Sequence, residues 1–238
     1  MKSDIQNLVI DRTDKYISAL NQSMTWCLSL ALLAFVTSIL GDKGIKIGSY
    51  TFSKEMACLL VSMLFLVVCY QQNKIASFFL AFIGEPSRDV MVFALQTHQA
   101  LFNPFYENNE PSGFWHSIFS SVLLPVANMI LLSFVLILYF TSMLPYLLNS
   151  IPDPSIELLF PGFMVVLGGI TFLLRNTSKK YLVLLEKTAG SEAFAAVKIK
   201  AFLAVLKIWF VINMLILICL LAFAFVGADW GHILGFSP

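Results

Sequence analysis

The sequence predicts an all-α integral membrane protein of about five transmembrane helices, with amphipathic helices at its cytoplasmic surface. Three observations predict this class. Hydrophobic residues make up 58% of the 238-residue chain and charged residues only 12%, where a soluble domain carries about 25% charge. Mean hydropathy is +0.83, so water could hold the chain only against a large exposed apolar surface. The apolar residues also gather into runs near the roughly 20 residues that cross about 30 Å of hydrocarbon. These runs cover 24–40, 56–70, 119–148, 156–174 and 208–227. An ordinary cytosolic enzyme and a disordered tail are excluded. The formal net charge of +1 supplies no global field to steer nucleic acid or acidic substrates, and no nucleic-acid partner is expected.

Residues 1–23 predict an amphipathic N-terminal helix. Ile5, Leu8, Val9, Tyr16, Ile17 and Leu20 recur at helical spacing. Ser3 and Gln6 have capping-box spacing, and Asp11 and Lys15 can pair one turn apart. The polar residues here, Asp4, Asp11 and Asp14 among them, argue against a cleaved signal peptide. The helix is expected to run into the first span, lying on the membrane face or against a partner.

Residues 24–70 predict the first transmembrane hairpin. Both its runs are short, which local thinning or snorkelling flanks accommodate. In the connection, glycines mark turns, and Ile45, Ile47 and Phe52 suit short extended pieces. Residues 71–118 predict a cytoplasmic or interfacial helical segment, where a partner would dock. Its stretch 75–83 is too short to span, and the sequence leaves open whether it joins 56–70 in one helix. Gly84 and Pro86 interrupt it, and Pro86 suits the first turn of a new helix.

Residues 119–174 predict the second hairpin. Its first helix exceeds a span and carries Pro125 and Pro145, sites of tilt or kink. Pro161 falls near the start of its second helix, where proline is tolerated. Residues 175–207 predict basic cytoplasmic helices broken at Gly190, with Ser191 able to cap the helix that enters the fifth span, 208–227. A tail, 228–238, follows.

Lysine and arginine prefer cytoplasmic flanks. With the N-terminus inside, the inner segments hold Lys2, Arg12, Lys15, Lys74, Arg88, Arg175, Lys179, Lys180, Lys187, Lys198, Lys200 and Lys207, against Lys43, Lys46 and Lys54 outside. The expected location is the bacterial inner (plasma) membrane, with the N-terminus cytoplasmic and the C-terminus outside. Trp26, Trp115, Trp209 and Trp230 fall near the ends of runs and are expected as interface anchors. A straight helix separates Trp209 from Trp230 by about 31 Å, close to one hydrocarbon thickness.

No catalytic residue, metal site or cofactor is expected. His98, His116 and His232 lack zinc-motif spacing. There is no nucleophile elbow, and no aspartate lies within a run to serve a protease or proton relay. Cys27, Cys58, Cys69 and Cys219 all sit in apolar runs and read as small buried hydrophobes. Polar groups within the runs carry more information. Pro125 frees a backbone carbonyl, which needs a donor in lipid, and Asn128 is placed either to supply it or to line a wet cavity. Pro125, Asn128 and Asn213 are candidates for a pore constriction or hinge; interhelical hydrogen bonding is the plainer reading. Gly168 and Gly169 permit close helix packing. Lys179, Lys180, Lys187, Lys198, Lys200 and Lys207 are candidates for contact with anionic headgroups or an acidic partner.

These features lead to a non-catalytic, homo-oligomeric membrane component that anchors or senses in the bilayer and couples to a soluble cytoplasmic protein. A bacterial immunity or defence system is one context for such a subunit. The alternatives are a homo-oligomeric channel or membrane-permeabilising effector, and a small transporter or lipid-handling protein.

Overall fold

The computed structural model describes residues 2–39, 45–47, 50–83, 88–98, 103–107, 111–149 and 154–227. Its elements are α1 (Lys2–Ile39), β1 (Ile45–Ile47), β2 (Tyr50–Phe52), α2 (Lys54–Phe82), α3 (Arg88–Thr97), α4 (Pro111–Asn149), α5 (Pro154–Thr188) and α6 (Glu192–Gly227). Apart from the small hairpin and short connections such as 103–107, the described chain is helical. Among the described residues three helices, α1, α2 and α4, are long and apolar enough to cross a membrane.

Local chemistry explains the boundaries. The amphipathic N-terminus and the first apolar run form one uninterrupted helix, α1, with Lys15 Nζ 2.7 Å from Asp11 Oδ2. β1 and β2 pair antiparallel, with Ile45 opposite Phe52 and Ile47 opposite Tyr50. Ser53 is extended and caps α2, its hydroxyl accepting from the Met56 N–H. α2 joins 56–70 and 75–83 in one helix, so a boundary at residue 70 falls inside it. No glycine or proline interrupts that sequence, and helical backbone propagates through polar residues that find partners. α4 and α5 begin on Pro111 and Pro154, the helical position that needs no N–H donor. α5 runs unbroken past Arg175 to Thr188, and Pro161 stands two turns inside it rather than in its first turn. Ser191 caps α6, accepting from the Phe194 N–H at 3.2 Å. The segment 84–87, with Gly84 and Pro86, lies outside the described residues, as does the tail with Trp230 and His232.

The helices alternate in direction. Cys27 of α1 meets Asn128 of α4, 101 positions on. Met129 and Ser133 of α4 meet Trp209 and Asn213 of α6, in both cases 80 positions on. Asn73 and Ser77 of α2 meet Lys180 of α5. Phe35 of α1 likewise meets Phe134 of α4. Contacts that advance together along two helices mean parallel axes, so α1, α4 and α6 run one way. α2 runs the other way, since Tyr16 and Cys27 of α1 meet Phe79 and Gln72 of α2 in descending order, and α5 follows α2, with Gly169 beside Leu66 and Lys180 beside Asn73. The core is continuous. Toward the end holding the start of α1, an aromatic series threads it: Tyr16, Phe79, Phe105, Tyr181 and Phe202, with successive ring centroids 4.7, 5.5, 6.3 and 5.8 Å apart. The start of α1 packs on its own chain, with Arg12 over the Phe82 ring and Asp14 Oδ1 3.2 Å from His98 Nε2, just beyond α3.

Candidate functional site

Asn128 is buried, and its partners lie on two other helices. Its Nδ2 donates to Gln72 Oε1 at 2.8 Å. Gln72 Nε2 donates to Cys27 Sγ at 3.3 Å, and the thiol donates to Asn128 Oδ1 at 3.2 Å. The three side chains close a ring among α1, α2 and α4, all three buried. A carboxamide carries both donors and acceptors, so a closed ring satisfies groups that apolar surroundings would otherwise penalise by about 1–3 kcal/mol each. Gln72 was not singled out in the sequence. Its signal was a pair of glutamines, Gln71 and Gln72, between two apolar stretches.

Asn128 is therefore not the partner of the carbonyl freed by Pro125. Proline at 125 removes the donor that would bond the carbonyl four residues earlier, at Ser121. Tyr181 of α5 takes that place, its hydroxyl donating to Ser121 O at 3.0 Å. Tyr181 is buried, and desolvation pushes its phenol pKa up, holding the donor form. The backbone need was legible in the sequence. The donor that met it comes from 60 residues away, which linear proximity could not show.

Asn213 accepts from Ser133 Oγ at 3.0 Å and donates to Trp209 O at 3.0 Å, so its amide joins α6 to α4. Trp209 Nε1 donates to Met129 O at 3.1 Å. The two glycines differ. A Cβ on Gly169 would lie 3.0 Å from Leu66 Cδ1, whereas one on Gly168 would meet open space. Only Gly169 admits a close neighbour, on α2.

The lysine set separates into kinds. Lys187, Lys200 and Lys207 are exposed, as is Lys179. Lys180 is spent on α2, its ammonium 2.6 Å from both Asn73 Oδ1 and Ser77 Oγ. Lys198 is no headgroup contact: it is 1% exposed. Its ammonium lies 3.6 Å from Glu107 Oε1, donates to Pro104 O and Tyr106 O at 3.3 and 3.4 Å, and stands 4.7 Å from the Phe194 ring centroid. Burial lowers its pKa from 10.5 to about 8, with Glu107 opposing the shift. Glu107 also accepts from the Gly190 N–H at 2.9 and 3.1 Å and from Gln96 Nε2 at 3.3 Å. Asn103 fastens the same segment to α3, donating to Leu95 O and His98 O at 2.6 and 2.8 Å. One buried knot thus ties α3, residues 103–107, the α5–α6 turn and α6. Ion pairing rescued Lys198 from water, and nothing local to 198 announces Glu107.

Trp26 and Trp115 are exposed, and Trp209 is half-buried. Trp26 precedes the ring residue Cys27 in α1, and a hydrogen bond places Trp209 against Met129, next to Asn128. Arg175 stands six residues beyond Gly169 as Gln72 stands six beyond Leu66, on parallel helices. Trp26, Gln72, Asn128, Arg175 and Trp209 therefore share one level of the bundle. At that level α4, α5 and α6 part around a cavity of about 390 Å³, lined by Asn128, Leu132, Arg175, Thr177, Lys179 and Trp209 and floored by Tyr181, Phe202 and Leu206. Among the described residues no three His, Cys, Asp or Glu side chains gather to hold a metal ion.

Comparison with protein-family models, with characterised proteins and with solved structures yields no match.

Proposed function

We propose that this chain is a five-span, non-enzymatic plasma-membrane component that couples the state of the bilayer to a soluble partner at its cytoplasmic end. The shared level of Trp26, Gln72, Asn128, Arg175 and Trp209 is taken as the cytoplasmic edge of the hydrocarbon. Tryptophan and arginine favour such an edge. From it, Asn128 to the end of α4 at Asn149 rises about 32 Å, and Arg175 back to the start of α5 at Pro154 rises the same, about one hydrocarbon thickness. Above this level the outward face of α6 is apolar, with Phe210, Val211, Ile212, Met214, Leu215 and Ile218 exposed, while Asn213 turns to α4. Such a face belongs in lipid or against other copies, and self-association along α6 is part of this reading. The N-terminus is cytoplasmic and the C-terminus outside. The third span then starts near Asn128 rather than Phe119.

One observation carries the coupling role. Below that level, α1, α4, α5 and α6 continue for several turns and join α3 in a tied cytoplasmic body, and its knot is linked to the membrane edge. Lys198 and Phe202 lie one turn apart on α6; the first belongs to the knot and the second to the cavity floor. A shift of α6 at the membrane edge must move the knot, because packed cores switch rather than deform smoothly. The exposed Lys187 and Lys200 suit an acidic partner surface. Asn128 and Asn213 serve neighbouring helices, which gives the pore alternative no support from these residues.

Topology is tested with Cys219→Ser carrying either Lys46→Cys or Lys187→Cys. A membrane-impermeant maleimide is expected to label position 46 only from outside and position 187 only from the cytoplasm; the reverse pattern overturns the scheme. Mild-detergent purification of the tagged chain is expected to recover one soluble protein in fixed ratio, reduced by Lys187→Gln/Lys200→Gln. Recovery of self-oligomers alone overturns the coupling role.

A further inference from the structure

We propose that the cavity among α4, α5 and α6 is a binding site for an anionic amphiphile. Its acyl chain fills the cavity, and its phosphate or carboxylate rests on Arg175 and Lys179. The site deepens the sensing role and rests on the placement of Arg175 at the cytoplasmic edge of the hydrocarbon.

Two independent features point to this ligand. The first is size and lining. At about 390 Å³ the cavity falls in the range of small-molecule sites, and its walls are mostly aliphatic and aromatic: Leu132, Tyr181, Phe202 and Leu206. Such walls attract a hydrocarbon chain and offer little to a polar metabolite. The second is charge. Arg175 and Lys179 line the same cavity and are exposed. Neither has a carboxylate partner among the described residues, unlike Lys198 and Lys15. Two unpaired cations at the rim of an apolar recess match an anionic head on an apolar tail.

The floor residues give such a ligand a consequence. Tyr181 holds the α4 carbonyl at Ser121, and Phe202 lies one turn from Lys198 on α6. Occupancy therefore bears on both the α4–α5 contact and the knot.

The experiment uses the full chain in nanodiscs doped with diazirine-bearing palmitic acid, phosphatidylglycerol or phosphatidylcholine. Crosslinked peptides are mapped by mass spectrometry. Either anionic probe is expected to label residues 171–182 or 202–209, and comparison of the two tells a free fatty acid from a phospholipid. Arg175→Gln/Lys179→Gln alters only exposed side chains and is expected to lower this labelling by about fivefold per charge, leaving the phosphatidylcholine signal unchanged. Leu206→Trp, which fills the cavity, is expected to abolish it. Equal labelling by phosphatidylcholine, or labelling indifferent to the double substitution, overturns the proposal. The maleimide pattern above is read separately: a failed site with correct topology leaves the membrane scheme standing.

Discussion

Two buried polar clusters, both built across several helices, solve the same problem with different chemistry. The ring of Cys27, Gln72 and Asn128 is neutral and closed. The knot of Lys198 and Glu107 is ionic, and it draws in backbone from Pro104, Tyr106 and Gly190. The difference follows their places in the bundle. Lys198 precedes Trp209 on α6 by about 16 Å of helical rise, which in the proposed topology puts the knot well inside the water-side body and the ring at the hydrocarbon edge. Amides and a thiol demand no counter-charge, so they can be closed off cheaply next to lipid. An ion pair costs several kcal/mol to desolvate and repays it only when every remaining donor and acceptor is used. The knot meets that condition with backbone groups, which only a folded loop can deliver.

Substitutions distinguish the two clusters. The largest effect is expected for Glu107→Ala, which strands a buried ammonium and removes the acceptor for Gly190. Unfolding in mild detergent is expected to become easier by about 3–5 kcal/mol. A loss below about 1 kcal/mol would mean the knot is no tighter than an exposed pair. Asn128→Leu is expected to cost less, about 0.6–2 kcal/mol, the scale of hydrogen bonds between membrane helices. In a double-mutant cycle it should couple to Gln72→Leu, because each substitution strands the same partner.

The knot also carries a pH signature of its own. Lys198 holds its proton to about pH 8 when folded and to 10.5 when unfolded. Between those values the unfolded chain binds more protons, so this group's contribution to stability rises with pH. The rise is at most about 1.4 kcal/mol per pH unit. Thermal unfolding across pH 8 to 10.5 should show it in the wild type and lose it in Lys198→Met; identical curves would remove Lys198 as its source. The smallest effects separate the glycines. Gly168→Ala is expected to stabilise α5 by up to about 1 kcal/mol, the helix-propensity difference, because the added methyl meets open space. Gly169→Ala should gain less or lose, because its methyl presses on Leu66 Cδ1; equal gains would show that α2 and α5 are not held closely there.

Much of the scaffold was readable from local pattern. Asp11 and Lys15, Ser191 as a cap, the extended pieces at Ile45, Ile47 and Phe52, and the unbroken entry of the N-terminal helix into the first apolar run all depend on neighbours within a few residues. Such interactions repeat wherever the same short sequence occurs. The partners of Asn128, of the carbonyl at Ser121 and of Lys198 were not readable. Each joins groups tens of residues apart, and any of several amides, hydroxyls or carboxylates would have served equally well on paper.

Composition and run length alone determined that this chain carries helices long and apolar enough to cross a membrane, because 58% hydrophobic and 12% charged residues gather into long apolar runs. Tertiary structure alone decided which lysine faces solvent and which is sealed against a carboxylate, and where three helices part to leave a cavity. Those outcomes depend on the order and register in which helices pack, a property of contacts between distant surfaces that no single stretch of sequence carries.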